Sequence, residues 1–276
     1  MSGSVLHNLL VSLICGFTEF LGVDATAHCG VLELMTGSRQ YDPVLLVALR
    51  VGALLALLVS SWPRLRRLMR EQSYAGRSRR LKRPPDPIAQ LDLKLLRFSL
   101  IFIIGGVFLY SKTSGITYGF LGMSLVMLLN AMILFIPRVI NSGNKDGRAA
   151  SRLDGMVLGF GGILGFVPGF SRMGCMIAAG SMTGLDRGYC LDMSLLLSIP
   201  AFLGMLILDT MAIVAAKVTI SLVTIALCGV YALVAFFTGW AAIVLMRFLS
   251  IKIGYTGFAY YSLGLSLFTS IFYLVI

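Results

Sequence analysis

Six apolar stretches, each near the length needed to cross a bilayer, limit this chain more than any other feature. Spanning the hydrocarbon core takes about 20 residues of helix. Residues 113–137, 218–246 and 253–276 contain no Asp, Glu, Lys or Arg. Residues 187–216 form an apolar run interrupted by Asp192 and Asp209. Residues 93–110 are apolar after Lys94 and Arg97, and residues 42–62 are apolar apart from Asp42 and Arg50. These runs predict six transmembrane helices. Charged residues make up 13% of the chain and hydrophobic ones 58%, whereas a soluble domain carries about 25% charge. So few charges cannot cover a water-facing surface, and the class is an all-α integral membrane protein.

The net charge is +11, and its placement says what it is for. Arg64, Arg66, Arg67, Arg70, Arg77, Arg79, Arg80, Lys82 and Arg83 directly follow an apolar run. This pattern predicts a basic cytoplasmic loop over about 63–90, in contact with membrane lipid rather than nucleic acid. The first basic residue is Arg39, so the first apolar stretch lacks the charged start of a secretory signal and reads as part of the mature chain. Cys15, Cys29, Cys175, Cys190 and Cys228 have no metal-ligand spacing and read as small buried hydrophobes.

Two further apolar stretches look broken. Residues 4–36 contain Gly16, Gly22 and Gly30 together with Glu19, Asp24, His28 and Glu33. Residues 153–184 contain nine glycines, with Pro168 and Arg172 near the middle. Backbone that leaves the helix at membrane depth must be buried in protein or line a wet cavity. Both stretches are therefore predicted to be re-entrant helix–loop–helix hairpins. They also match each other at an offset of 143 residues: Gly16, Phe17, Leu21 and Gly22 align with Gly159, Phe160, Leu164 and Gly165. Each hairpin precedes three spanning candidates, so the chain divides into repeats at 1–150 and 151–276, and an odd number of crossings inverts one against the other. With both termini outside, the basic segments 64–83, 138–152 and 247–252 all fall in the cytoplasm. The connections at 111–114 and 216–219, with one lysine each, fall outside. In such inverted repeats the broken segments meet near the midplane and form the site.

Ionisable groups within membrane segments are costly and functional by default. The interior set is Glu19, Asp24, His28, Arg50 and Arg172, with Thr26 and Ser171 as hydroxyls. Arg172 lies in Pro168-Gly169-Phe170-Ser171-Arg172-Met173-Gly174. Glycine and proline open the helix there, and exposed backbone N–H groups at a helix start favour an anion. A guanidinium fork adds a match to phosphate oxygens. A phosphate or diphosphate held by Thr26, Gly169, Ser171, Arg172, Gly174 and Arg50 is the expected ligand. A structural ion pair of Arg172 with Glu19 or Asp24 is the plainer alternative. Glu19 and Asp24 could hold a divalent cation, magnesium or calcium, or move a proton. His28 could be a base or a nucleophile.

These residues resemble a known family. Residues 16–28, from Gly16-Phe17-Thr18-Glu19 through Asp24-Ala25-Thr26-Ala27-His28, are similar to the first signature of the bacterial undecaprenyl-diphosphate phosphatases of the bacitracin-resistance type, roughly E-G-x-T-E-F-L-P-V-S-S-T-G-H. Residues 168–174 resemble the second, P-G-x-S-R-S-G-x-T. Arg50-Val51-Gly52-Ala53, Leu197-Ser198-Ile199-Pro200-Ala201 and Phe258-Ala259-Tyr260-Tyr261 follow in the family's order. The resemblance implies six spanning helices with two re-entrant hairpins in an inverted repeat. It implies removal of the terminal phosphate of a polyprenyl diphosphate at the outer face of the bacterial cytoplasmic membrane, with a divalent cation. A homodimer is one assembly it allows. The chain departs from the signatures: Cys15 stands where a glutamate is expected, Asp24 and Ala25 where two serines are, Arg50 where a glutamine is, Met173 and Met176 where a serine and a threonine are, and Ser262 where an arginine is. Two readings follow. Asp24 takes over the missing carboxylate role in a working hydrolase with Glu19, His28, Ser171 and Arg172 as catalytic residues, or the site binds and moves the lipid phosphate without cleaving it. A transporter of unrelated small solutes is a third class.

Overall fold

The computed structural model describes residues 5–36, 42–75, 86–116, 118–140, 143–252 and 255–275. Among these, ten helices follow one another: α1 (Val5–Thr18), α2 (Ala25–Thr36), α3 (Pro43–Ala75), α4 (Pro87–Thr113), α5 (Phe120–Val139), α6 (Arg152–Leu164), α7 (Arg172–Met182), α8 (Arg187–Ala215), α9 (Leu222–Lys252) and α10 (Thr256–Val275). The protein is an all-α integral membrane protein. Helices α3, α4, α5, α8, α9 and α10 are long and apolar enough to cross a membrane. Their outward side chains, among them Phe108, Ile207, Leu233 and Ile271, are large, apolar and exposed, as a lipid-facing surface requires.

The remaining four helices have 11 to 14 residues. At ~1.5 Å per residue they rise about 16–21 Å, too little for the ~30 Å core. They form two helix–loop–helix units, α1–α2 and α6–α7. Packing partners exchange between the chain's halves. Helix α1 lies on α9 as α6 lies on α4, α3 lies on α9 as α8 lies on α4, and α3 with α8 and α5 with α10 each pack as a pair. The matched glycines do equivalent work. A Cβ at Gly16 would come within 2.8 Å of the Ala235 backbone on α9, and one at Gly159 within 2.7 Å of the Ser99 backbone on α4. Only glycine lets the helices approach so closely.

Element ends differ from the expectation. Helix α3 runs through Pro63 to Ala75, so Arg64, Arg66, Arg67 and Arg70 are helical and not in a loop. Arg64 pairs with Asp192 at 2.5 Å and Asp92 at 3.2 Å, and Arg67 pairs with Asp86. These cross-helix partners hold the basic turn in helical form. Arg77, Arg79, Arg80, Lys82 and Arg83 lie outside the described residues. Helix α4 starts earlier than expected, because Asp86 caps it through the Ile88 and Ala89 amides with proline at the first position, a favoured start. Residues 247–252 continue α9 and are no linker.

Cys175 and Cys190 are buried thiols as expected. Cys15 and Cys29 instead form a disulfide between α1 and α2, because the turn at 19–24 folds α2 back beside α1. A link across 14 residues contributes about 3 kcal/mol in the chain-entropy model. Alkylation of the denatured chain without reductant is expected to label three cysteines, and five after reduction. Five labels without reductant would contradict the pairing.

Candidate functional site

The two loops that interrupt the short helix pairs meet and bond to each other. Asp24 caps α2: its Oδ2 accepts from the Ala27 amide at 2.8 Å. The same oxygen accepts from the Gly169 amide in the other loop at 2.9 Å. Gly169 has a φ of +96°, a region that side chains rarely tolerate. Ser171 caps α7 by accepting from the Gly174 amide at 3.1 Å, and its hydroxyl donates to the Leu21 carbonyl in the first loop at 3.1 Å. The Ser171 amide donates to Asn130 Oδ1 on α5 at 2.9 Å. Each loop is thus fastened by the residue that starts the other unit's second helix.

Arg172 opens α7 and is 8% exposed. Its Nη2 donates to Glu19 Oε1 at 2.9 Å. Its guanidinium lies 4.6 Å from the Phe202 ring centre and 5.5 Å from that of Phe166. Its Nε and Nη1 are buried without a hydrogen-bond partner among the described residues. Facing it across a cavity of about 150 Å³ are Glu19, Asp24, Thr26, Arg50 and Tyr110. Arg50 is held from one side. Its Nε lies 2.8 Å from Asp209 Oδ2, and its Nη2 donates to the Tyr110 hydroxyl at 2.6 Å. Tyr110 in turn donates to Asp209 Oδ1 at 2.9 Å. Arg50 Nη1 is buried and has no hydrogen-bond partner among the described residues.

The structure therefore gathers Glu19, Asp24, Thr26, Arg50 and Arg172 around one space and sets the other expected residues apart. His28 does not line the cavity. Its Nδ1 donates to the Asp24 carbonyl at 2.6 Å, and its Nε2 pairs with the Tyr261 hydroxyl at 2.9 Å. The two rings are nearly parallel, with centres 5.5 Å apart. Gly169, Ser171 and Gly174 also lie off the lining. Their N–H groups, expected to hold phosphate, are already used on Asp24, Asn130 and Ser171. These residues build the loops. Nothing local in the sequence marks Tyr110, and Asp209 shows there only as a break in an apolar run. A lone aspartate in a spanning helix was the available signal, since such a charge needs a partner.

A divalent cation on Glu19 and Asp24 was expected. Among the described residues, no group of three or more His, Cys, Asp or Glu side chains could hold a metal ion. Glu19 is engaged by Arg172, Asp24 by two amides and Asp209 by Arg50. Two guanidinium groups line the same space. This donor set does not fit a resident divalent cation, which prefers several uncommitted oxygens.

The model of a family described as bacitracin resistance protein BacA matches residues 8–268. Relatives carry the name undecaprenyl-diphosphatase. One from Ruegeria pomeroyi is 29% identical over 205 residues, covering 73% of this chain and 74% of the relative. One from another Ruegeria species is 27% identical over 268 residues, covering 95% and 96%. One from Methanobrevibacter smithii is 27% identical over 219 residues, covering 72% and 74%.

Proposed function

The chain belongs to the bacitracin resistance protein BacA family, and from that premise we propose that it is a membrane hydrolase that removes the terminal phosphate of undecaprenyl diphosphate, recycling the lipid carrier of cell-wall synthesis. One observation carries the reading: Arg172, fixed by Glu19 through a single nitrogen, keeps Nε and Nη1 buried and unpaired beside the cavity. Buried donors of this kind are costly unless a ligand completes them. A phosphate does so with charge-assisted bonds.

In this reading Arg172 binds the terminal phosphate and stabilises the charge that builds up on it during transfer. Water attacks that phosphorus, its oxygen forming the new P–O bond. The bridging P–O bond breaks, and the polyprenyl monophosphate leaves with the electron pair. We assign the water's proton to Asp24, which the two amide bonds hold in place beside the cavity. His28 supports the Asp24 backbone through its Nδ1 bond, and Ser171 and Gly169 hold the two loops together. The same reading takes α1–α2 and α6–α7 as re-entrant units of an inverted repeat, which their short length and the exchanged packing partners support.

The site is assigned to the outer face. Arg50 and the basic turn from Arg64 to Arg70 lie on one helix, with Arg50 and Arg64 about 21 Å apart at ~1.5 Å per residue. By the positive-inside rule, the basic end is cytoplasmic. The Cys15–Cys29 disulfide supports the outer side as well, since such bonds persist outside the reducing cytosol.

Purified protein given undecaprenyl diphosphate is expected to release inorganic phosphate. Lipid binding without release, abolished by Arg172→Ala, would replace hydrolysis with a binding or transport role. Failure both to bind and to cleave would overturn both.

A further inference from the structure

We infer that Arg50 takes the place of a divalent cation in this chain, so that phosphate transfer here runs without metal. The inference rests on the hydrolase reading above and adds which groups neutralise the diphosphate. Any such site must balance the negative charge of the substrate and hold its oxygens rigidly. A metal ion is one way to do this, and a guanidinium fork is another.

Two of the three carboxylates near the cavity are paired with a guanidinium group, and the third is held by backbone amides. Glu19 is bonded to Arg172 and Asp209 to Arg50. Asp24 receives two amide N–H groups on one oxygen. No pair of carboxylates is left uncommitted, and a doubly charged ion would enter a space lined by two guanidinium groups. In a low-dielectric site that repulsion is weakly screened. Arg50 meets the requirements of the substitute. It comes from α3, whereas Arg172 comes from α7, so the two approach from different elements. Asp209 Oδ2 lies 2.8 Å from its Nε as an ion pair without a hydrogen bond, Tyr110 accepts from its Nη2, and the guanidinium carbon sits 4.7 Å from the Tyr110 ring centre. This support leaves Nη1 buried and without a partner, like Nε and Nη1 of Arg172. Two guanidinium groups thus line one cavity, and between them three buried nitrogens have no hydrogen-bond partner among the described residues. Tyr110 and Asp209 are positioning residues for Arg50.

The test uses full-length protein in detergent, stripped with EDTA, with two readouts: phosphate release from undecaprenyl diphosphate and binding of that lipid. Unaltered protein is expected to keep its rate within about twofold after EDTA, and its affinity unchanged. In EDTA, Arg50→Gln is expected to lose at least tenfold in affinity and more in rate. Millimolar magnesium should recover part of both, because Asp209 is then free to accept the ion. The double variant Arg50→Gln/Asp209→Asn leaves no unpaired charge and guards against misfolding. It should lose the same affinity in EDTA. Loss of the unaltered protein's activity in EDTA, restored by magnesium or calcium, would overturn the inference and leave the hydrolase reading standing. Unchanged binding by both variants in EDTA would also overturn it. Absence of release with and without added magnesium would count against hydrolysis instead, and the binding arm would still decide the role of Arg50.

Discussion

Replacing Arg172 with alanine is expected to lower phosphate release from undecaprenyl diphosphate by roughly 10² to 10³-fold, the scale of losing one preorganised electrostatic stabiliser. The side chain is buried, and its one fixed nitrogen leaves two others for the ligand. Alanine also leaves the part-buried Glu19 without its partner, and since breaking a fully buried pair costs about 3–5 kcal/mol, the loss here should fall below that. Arg172→Ala alone should therefore unfold at a lower temperature in detergent. The double variant Arg172→Ala/Glu19→Gln removes the stranded charge. It should regain much of the lost thermal stability and none of the activity, which separates folding from chemistry. Arg172→Lys keeps the charge but loses the planar fork, so it should remain at least tenfold impaired. Activity near normal in either arginine variant would contradict the assignment.

Asp24 is expected to divide into two separable roles. Asparagine retains a carbonyl oxygen that can accept from the Ala27 and Gly169 amides, so Asp24→Asn should keep its fold. It cannot take a proton from water, and release should fall by about 10² to 10⁴-fold. Asp24→Ala also removes the acceptor for both amides. Each stranded buried donor costs about 1–3 kcal/mol, and the cap of α2 is lost with it. Thermal unfolding should thus distinguish alanine from asparagine, whereas the phosphatase assay should find both inactive. Equal stability of the two variants would contradict the tie between the loops.

Much of the fold was legible because bilayer thickness sets a length that a run of apolar residues either meets or does not. The broken stretches were legible for a related reason. Gly16 and Gly159 occupy matching places in them, and both turn out to pack backbone against backbone. Helix ends were less legible. Charged residues such as Arg64 and Arg67 read as a loop after an apolar run, yet they stay helical once Asp92, Asp192 and Asp86 arrive from distant segments. The contact between Glu19 and Arg172 was expected, since two opposite charges in membrane segments must find each other. The support of Arg50 by Tyr110 and Asp209 was not, because three residues on three helices leave no local pattern. The same holds for Cys15 and Cys29, whose pairing depends on the reversal of the chain at Glu19–Asp24. The surroundings of His28 were equally illegible. Its residue type suggests chemistry, whereas its position on α2 turns the ring toward Tyr261.

The central claim is that a lipid diphosphate occupies the space between the two loops. An experimental structure with a non-hydrolysable methylene analogue of polyprenyl diphosphate tests this most directly. The terminal phosphonate is expected within hydrogen-bond reach of Nε or Nη1 of Arg172, with Arg50 Nη1 on the same headgroup. A headgroup seated elsewhere, with the Arg172 nitrogens still unpaired, would contradict it.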